Sequence, residues 1–332
     1  MAMTTPSAAP NSRHCIAVSS AGRRVGLMHA FREDAVRLGI DLRILALDVA
    51  PELSAACHVA DQAIEVPRCS DPSFVATVAA ICGEHGVGLL VPTIDPELMP
   101  LSESRAQFDQ IGVHVVVPQS SVLRVTGDKL HTATQLSAVG IPTPRSMLLA
   151  DYMRDPDSLP SSVIAKPRRG SASIGIVRSE GPEGLVGIEP EGYLVQECLV
   201  GREYTVNAFY SAESELVTAV PHERLEVRAG EVSKGRTVRS AALHECAIKL
   251  PLALPGVSGP LCFQAIVAPS GELAVFEINA RFGGGYPLAH RAGARFSQWL
   301  LEATLGLPST ACDEWRENVL MLRFDEAVYL DG

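Results

Sequence analysis

Short apolar runs recur through the first third of the chain, and segments with helical periodicity lie between some of them. A strand–helix–strand rhythm of this kind favours a parallel sheet with helices on both faces. Gly39 and Gly86 follow two of the helical segments, as glycines commonly do at helix ends. The pattern predicts strands at residues 15–20, 42–47, 63–66, 88–92 and 113–117, and helices at 25–38 and 72–83.

A different pattern begins near Ser120. A helical segment at 127–140 ends at a glycine, and the proline-containing stretch after it is expected to be extended. From Ser161 onwards, apolar and polar residues alternate with a period of two between glycine turns, which predicts antiparallel strands. The predicted fold class is therefore α/β plus α+β, with a disordered lead at 1–12, a doubly wound domain at 13–118, an α+β domain at 119–306, and a C-terminal strand (319–323) and tail within 307–332.

Composition narrows the classes of protein. The 332 residues are 47% hydrophobic and 20% charged, with a net charge of −10, which excludes extensive disorder and shows no basic footprint for nucleic acid. No apolar window is long enough to span a membrane, and the first residues lack the pattern of a signal peptide. The 8 cysteines include no CxxC pair, so we expect reduced thiols in a cytoplasmic protein rather than a zinc site.

Lysine is scarce, which makes each lysine informative. The 28 basic residues include only four lysines, at positions 129, 166, 234 and 249. Lys166 ends an apolar strand and precedes a loop of small residues that contains Ser171 and Ser173. Backbone N–H groups in such a loop can surround a phosphate, although the spacing is not that of a Walker A loop. The alternative for Lys166 is a structural ion pair.

A second pair of strands is predicted between residues 193 and 210. Cys198 and Leu199 fall in the linker between the two strands, where an exposed backbone edge beside apolar side chains suits a purine. Glu203 begins the next strand, and a carboxylate in that position can accept hydrogen bonds from both ribose hydroxyls. Taken alone, this signal is of moderate specificity.

The hairpin at residues 263–281 gives the strongest signal. A turn centred on Ser270 and Gly271 predicts that Gln264 and Glu277 face each other across the ladder. Glu277, Asn279 and Arg281 are two positions apart and therefore share a face. Amide and carboxylate oxygens suit Mg²⁺, and a nearby guanidinium suits a transferring phosphoryl group. Apolar residues at 273 and 275, expected on the same face, favour a covered face over a solvated one.

Together these residues resemble the ATP-grasp superfamily, and most of all its carbamoyl-phosphate-synthase-large-subunit-like branch, in which the first metal ligand is Gln. The motifs that support this are Lys129, Lys166 with its loop, the 197–203 segment, Gln264 and the run F-E-I-N-A-R at 276–281. The resemblance implies a Rossmann-like pre-ATP-grasp domain followed by two α+β subdomains that sandwich a nucleotide, with a small lid subdomain at about 145–200.

The resemblance also implies roles for individual residues. The expected nucleotide-binding residues are Lys129, Lys166, Ser171 and Ser173 for the phosphates, Glu197, Cys198 and Leu199 for adenine, and Glu203 for ribose. The expected metal ligands are Gln264, Glu277 and Asn279, and the expected catalytic residues are Arg281 and Lys234. Lys234, with Arg236 and Thr237, lies in the 224–238 segment, which resembles the family's substrate loop only loosely and is alternatively a solvated loop.

The implied activity is that of an ATP- and Mg²⁺-dependent carboxylate–amine ligase that works through an acyl phosphate, with Mn²⁺ as a substitute metal. A bicarbonate- or small-acid-activating enzyme is the alternative, and a non-catalytic ATP-binding subunit is less favoured. A single ATP-grasp unit without a glutamine-hydrolysing domain excludes a full carbamoyl phosphate synthase. The expected partners are small-molecule carboxylate and amine substrates, and a homodimer by analogy.

Four details stay open at this stage. The first turn, at 19–26, lacks G-x-G-x-x-G, so tight packing is favoured over a dinucleotide site. Asp95 follows a strand end and either contacts substrate or caps a helix. Tyr286 and His290 either touch substrate or are structural, and the glycines at 283–285 allow either close approach or flexibility.

Overall fold

The computed structural model describes residues 14–170 and 174–330. Its first part is an α/β domain in which strands and helices alternate. The elements are β1 (His14–Ser19), α1 (Val25–Leu38), β2 (Leu42–Asp48), α2 (Ala55–Val59), β3 (Gln62–Glu65), α3 (Phe74–His85), β4 (Val87–Pro92), α4 (Asp95–Glu103), α5 (Arg105–Asp109) and β5 (His114–Val115). The sheet is parallel with strand order β3-β2-β1-β4-β5, as the alternating pattern predicts.

The second part contains three α-helices and a small antiparallel sheet among its described residues. Its elements are α6 (Ser120–Thr126), α7 (Lys129–Ala138), β6 (Ser146–Leu148), α8 (Leu149–Arg154), β7 (Val163–Pro167), β8 (Val177–Ser179) and β9 (Tyr193–Glu197). The sheet has the order β6-β9-β7-β8. Leu149, Tyr152, Val163 and Val195 form a separate core beneath it, so this small unit packs on its own apolar centre.

The third part is dominated by a larger antiparallel sheet. Its elements are β10 (Arg202–Tyr210), β11 (Leu216–Arg228), β12 (Glu231–Thr237), α9 (Ala241–Ala253), β13 (Gly259–Val267), β14 (Leu273–Asn279), α10 (Tyr286–Ala292), α11 (Phe296–Leu305) and β15 (Leu320–Leu322). The strand order is β14-β13-β10-β11-β12-β15. The predicted succession of a parallel domain and an α+β region with antiparallel sheets is confirmed.

The first domain and the large sheet share a continuous core. Leu45 and Leu90 of the parallel sheet belong to the same buried cluster as Phe263 of β13. On the opposite face, Phe31 of α1 packs in a cluster that includes Trp299 of α11. The carboxyl ends of β1 and β4 are thereby held next to the large sheet. No helix in the described part of the chain is long and apolar enough to cross a membrane.

The 224–238 segment is a hairpin rather than the expected loop. It forms the end of β11 and the whole of β12, joined by a tight turn at Ala229 and Gly230. Both turn residues have positive φ, 48° and 78°, as two-residue hairpin turns that match the twist of the strands require. The frequent charged residues on the exposed sides of these strands conceal the alternation, so the pattern of the sequence is typical of a loop.

A buried carboxylate fastens α1 to α10 and α11. Asp34 accepts hydrogen bonds from His290 Nε2 (3.0 Å), Ser297 Oγ (2.5 Å) and Arg295 Nη1 (2.6 Å). Tyr286 Oη in turn accepts the Ser297 N–H at 3.1 Å. Tyr286 and His290, which the sequence leaves open as substrate contacts, are therefore both buried in a structural joint.

We expect Asp34→Asn to lower the free energy of unfolding by about 2–4 kcal/mol, because it leaves buried donors without a charged partner. Burial alone would raise the pKa of Asp34, but hydrogen bonds from His290, Ser297 and Arg295 outweigh it and lower the pKa. The stabilisation is thus present above the usual Asp pKa of about 3.9 and is lost as pH falls through the lowered value. Urea denaturation followed by circular dichroism at neutral and acid pH measures both effects.

Glu33→Gln is the matched control, since Glu33 contacts Arg295 from the solvent side of the same helix. We expect it to change the free energy of unfolding by less than about 1 kcal/mol. Equal losses in the two variants would contradict the role of the buried network.

Candidate active site

A cavity of about 970 Å³ lies between the small sheet, the large sheet and the carboxyl ends of β1 and β4. The predicted site residues that line it are Lys129, Lys166, Glu197, Cys198, Leu199, Glu203, Gln264, Glu277, Asn279 and Arg281. They come from four separate stretches of sequence, so the fold brings most of the predicted site into one space. Ser171 and Ser173 lie outside the described residues.

The oxygen-bearing face depends on a β-bulge between β13 and β14. Next to the turn, Val267 pairs with Leu273 and Ala265 with Val275, one residue out of step with a continuous ladder centred on Ser270 and Gly271. The register then shifts, and Gln264 faces Glu277. The predicted pairing is confirmed, but a bulge at position 276 produces it rather than the geometry of the turn.

The same bulge changes which residues share a face. Val275 packs in the core, whereas Phe276, Glu277 and Asn279 line the cavity. The expectation that Leu273 and Val275 share the face of Glu277 is therefore wrong, because the extra residue of the bulge interrupts the alternation. The face is covered because it lines the cavity rather than because apolar side chains continue along it.

Side chains at the end of β14 are connected by hydrogen bonds. Asn279 Nδ2 donates to Glu277 Oε1 at 3.2 Å, and Arg281 Nη2 donates to Asn279 Oδ1 at 3.0 Å and to Asp95 Oδ2 at 2.6 Å. No cluster of three His, Cys, Asp or Glu side chains in the described residues could hold a metal. A metal at this face would therefore depend on one carboxylate, Glu277, and on the amide oxygens of Gln264 and Asn279, a hard oxygen set that fits Mg²⁺.

Two lysines line the cavity beside this oxygen face. Lys129 Nζ donates to the carbonyl oxygens of Gly170 (2.7 Å) and Pro167 (3.2 Å), at the start of the small-residue loop. Lys166 is only 6% exposed, and its Nζ lies 5.6 Å from the centre of the Phe276 ring. The described residues offer Lys166 no ion-pair partner within 4.0 Å, which leaves the structural ion-pair alternative without support.

Burial dominates the electrostatics of Lys166. It lowers the pKa of Lys166 to about 8, and the nearby charge of Lys129 adds to this, while Glu277 acts in the opposite direction. The pKa of Lys129 is also lowered, chiefly by burial. A buried ammonium without a carboxylate at contact distance is the arrangement expected where an anionic ligand completes the site.

The linker after β9 presents a backbone edge to the cavity. Glu197 binds Arg145 through both the backbone N–H (2.9 Å) and Nε (3.0 Å), and the Cys198 N–H donates to the Ser162 carbonyl at 2.9 Å. The Cys198 carbonyl and Leu199 N–H have no partner among the described residues. Apolar side chains line this end of the cavity, namely Ile164, Ile176, Leu199, Ile266 and Phe276. An acceptor and a donor beside an apolar slot fit the edge of an adenine.

Glu203 is next to a guanidinium that the sequence analysis did not single out. Arg224 Nε lies 3.2 Å from Glu203 Oε2, without the alignment of a hydrogen bond. Its other nitrogens donate to Thr205 Oγ1 and the Gly230 carbonyl, each at 3.1 Å. The Glu203 carboxylate is 43% exposed and lines the cavity, so it remains accessible to a ligand.

The structure does not bring the lysine of β12 to the cavity. Lys234 is about half exposed, and its Nζ donates to Glu226 Oε2 at 2.6 Å. Arg236 is exposed as well, and Thr237 is buried with its hydroxyl on the Arg316 carbonyl. The register of the β11–β12 ladder shifts between Val232 and Lys234, so Val232 lines the cavity whereas Lys234 faces solvent.

Three charged residues that the sequence analysis missed form a bridge at the inner end of the cavity. Arg24 Nη1 lies 3.1 Å from Glu231 Oε1, and Arg323 Nη1 lies 2.9 Å from Glu231 Oε2. Arg24 belongs to the first strand-to-helix turn, where only the absence of G-x-G-x-x-G was considered. The sequence signal that could have identified this region is the pair of arginines, Arg23 and Arg24, just after the carboxyl end of β1, where ligands of such sheets bind.

Comparison with known proteins identifies the type of two domains in the chain. Residues 16–116 match the family model of the PylC-like N-terminal domain, and residues 126–285 match that of the ATP-grasp domain. The predicted ATP-grasp resemblance is confirmed at the level of this domain. No curated protein sequence gives a significant match.

Several solved structures share the fold. The biotin carboxylase domain of Hydrogenobacter thermophilus 2-oxoglutarate carboxylase, in complex with MgADP and bicarbonate, has a TM-score of 0.72 at 15% identity, covering 93% of this chain and 74% of that one. N5-carboxyaminoimidazole ribonucleotide synthetase from Thermotoga maritima has a TM-score of 0.67 at 19% identity, covering 91% and 78%. At these identities the likeness concerns the fold, and the predicted fold class is confirmed.

We expect one lysine of the ligand-free protein to titrate near pH 8. With only four lysines, protein labelled with ¹³C at lysine Cε gives a spectrum in which single residues can be assigned. The resonance that moves near pH 8 should disappear in Lys166→Arg. Lys249 is the internal control, because its hydrogen bond with Glu245 raises its pKa above the ordinary value. A Lys166 resonance that titrates above pH 10 would contradict the burial argument.

Proposed function

Since the chain joins a PylC-like N-terminal domain to an ATP-grasp domain, we propose that it is an ATP- and Mg²⁺-dependent carboxylate–amine ligase. The reaction passes through an acyl phosphate and releases ADP and phosphate. The observation that supports this most directly is the single cavity in which the oxygens of Gln264, Glu277 and Asn279 lie with Lys129 and Lys166. These groups together suit a nucleotide triphosphate with its metal ion.

The nucleotide occupies the outer part of the cavity in this proposal. Adenine lies against the apolar slot, its edge on the Cys198 carbonyl and Leu199 N–H, and Glu203 accepts hydrogen bonds from the ribose. Lys129 and Lys166 bind the phosphates as cations. Glu277, Gln264 and Asn279 hold Mg²⁺, which supplies charge neutralisation of the phosphate oxygens.

The chemistry then has two balanced steps. A carboxylate oxygen attacks the γ-phosphorus, and the bond from that phosphorus to the bridging oxygen of ADP breaks. An amine then attacks the carbonyl carbon, the C–N bond forms, and inorganic phosphate leaves while the amine gives up a proton. Arg281, at the end of the metal face, stabilises the negative charge on the transferring phosphoryl group and on the acyl phosphate. Asp95 holds that guanidinium in place through the 2.6 Å contact.

Activation of bicarbonate is the second candidate, with the same groups acting on a smaller acid. Gln264 favours it, since Gln in the first ligand position is the feature that resembles the carbamoyl-phosphate-synthase branch. The two reactions share every step up to the phosphorylated acid. They differ in whether an added organic acid or bicarbonate accelerates ATP hydrolysis.

Product analysis tests the proposal. Incubation with ATP, Mg²⁺ and pooled carboxylic and amino acids should release ADP and phosphate in an acid-dependent manner. Stimulation by bicarbonate alone would select the second candidate. Release of AMP and pyrophosphate would contradict both, because it requires attack at the α-phosphorus.

Glu277→Ala should reduce turnover by at least about a hundredfold, because the metal face then keeps only two neutral amide oxygens. Circular dichroism and thermal unfolding should show an intact fold. Glu272→Ala is the control, since Glu272 lies in the exposed turn of the same hairpin and, among the described residues, its carboxylate accepts a hydrogen bond only from Ser270. An active Glu277→Ala enzyme would refute the metal assignment.

A further inference from the structure

We infer that the acid activated in this cavity carries a second anionic group, remote from the reacting carboxylate, and that Arg24 binds this group. The inference rests on the proposed ligase function and extends it to the class of substrate. Its basis is the arrangement of guanidinium groups at the inner end of the cavity, on the side of the first domain.

The fold holds Arg24 at the carboxyl end of the parallel sheet. Gly22, with φ of +46°, turns the chain after β1, and its N–H donates to Asp48 Oδ2 at 2.8 Å. Arg23 and Arg24 follow immediately and both line the cavity. Ligands of open α/β sheets bind at this end of the strands, so the turn directs the two guanidiniums at the place where a substrate is expected.

Arg24 is held in one orientation before any ligand binds. Glu231 accepts from Arg24 Nη1 through Oε1, and its other oxygen accepts from Arg323 Nη1, at 3.1 and 2.9 Å. Arg323 also donates to the Gly284 carbonyl. The bridge therefore connects the first domain, the β12 strand and the C-terminal segment. Groups fixed in this way bind with less loss of side-chain entropy.

Positive charge exceeds negative charge at this end. The single carboxylate of Glu231 is shared by two guanidiniums, and Asp95 is engaged by Arg281. Arg23 is exposed to the cavity and has no carboxylate within 4.0 Å among the described residues. Since the whole chain has a net charge of −10, this local excess is not a general property of the protein. An anionic group on the ligand would balance it.

Arg24 and Arg281 are close enough for their charges to interact. Burial lowers the pKa of Arg24, and the neighbouring charge of Arg281 lowers it further, against the effect of Glu231. Arginine nevertheless stays protonated at neutral pH. Two cations that face one cavity suit a ligand with an anionic group for each: the acyl phosphate at Arg281 and a distal group at Arg24.

Three consecutive glycines, at 283–285, line the cavity and let the backbone pack closely against the bridge and its neighbours. A Cβ at Gly284 would lie 2.7 Å from the Glu231 carboxyl group, and one at Gly285 would lie 2.8 Å from the His222 ring. A side chain at position 284 would displace the Glu231 carboxylate of the bridge, and one at position 285 would collide with His222. The backbone of residues 283–285 therefore forms a floor between Arg281 and Arg24 that a small acid can lie against.

Matched acids test the inference. The assay traps the acyl phosphate with hydroxylamine, so that the natural amine is not needed. The probes are succinate, glutarate, adipate, glutamate and 4-phosphonobutyrate, compared with butyrate, valerate and hexanoate, which lack the second anionic group. The wild-type enzyme should prefer a dianionic acid in kcat/KM by at least about tenfold, the effect of one charged hydrogen-bonded pair. Comparing the carboxylates with the phosphonate identifies which anion the site accepts.

Arg24→Met should abolish this preference by raising KM for the dianionic acid, while the monocarboxylates are little affected. Arg37→Met is the control, since Arg37 lies on the exposed side of α1, the helix that directly follows Arg24, and this variant should keep the preference. Arg24→Gln, which removes the charge but keeps a polar side chain, serves if Arg24→Met does not fold. Equal losses for both classes of acid would overturn the inference, because Arg24 would then act on the common reacting group.

Calorimetric titration with the same acids in the presence of MgADP distinguishes a failure of the proposed ligase function from a failure of the inference about Arg24. Binding of a dianionic acid that is lost in Arg24→Met supports the inference even if no hydroxamate forms, in which case the ligase function fails. Efficient turnover of monocarboxylates by the wild type overturns the inference and leaves the ligase function intact. Absence of binding by every dianionic probe also overturns it.

Discussion

The pairing of Gln264 with Glu277 is the constraint on which the site depends. Side chains of a strand alternate between faces, so a slip of one residue between β13 and β14 would exchange Glu277 and Ile278 between the cavity and the core. A buried carboxylate in that core would be strongly destabilising, which penalises the slipped register. The bulge at position 276 reconciles the short turn with the register that places the oxygens in the cavity.

That register has an electrostatic consequence for the facing wall. Glu277 raises the pKa of Lys166 against the effect of burial, but it does not form an ion pair with Lys166. Both side chains therefore remain available to bind a ligand. The ligand-free protein therefore contains a buried cation and a carboxylate face that neither neutralise each other nor lie in open water. Such an arrangement is suboptimal for stability and suited to binding, a compromise that is common where function requires it.

Local patterns predict the half of the cavity that we assign to the nucleotide and fail for the other half. The strand at Lys166 and the face of Glu277 are each defined by neighbours within one hairpin, and the linker at Cys198 is defined by the two strands that flank it. The expectation that Leu273 and Val275 share the face of Glu277 is wrong because the alternation of apolar and polar residues does not reveal a bulge. Lys234 is predicted as a catalytic residue because lysines are scarce in the chain and because its segment loosely resembles the family's substrate loop. Its position on β12 instead directs it away from the cavity, towards Glu226. Tyr286 and His290 follow the glycines in sequence, yet they pack against α1.

The inner half of the cavity is built from pairs that are far apart in sequence. Asp95 and Arg281 are separated by 186 positions, and Arg24 and Glu231 by 207. Each pair joins the first domain to the region of the large sheet, so neither residue has a signature in its own segment. The proposed nucleotide site is thus a property of short local segments, whereas the proposed acid site is a property of the domain interface. It follows that changes in the turn after β1 can alter substrate choice while the nucleotide residues stay unchanged. A sequence motif for the choice of substrate therefore has to combine residues that are far apart in the sequence, such as Arg24 and Glu231.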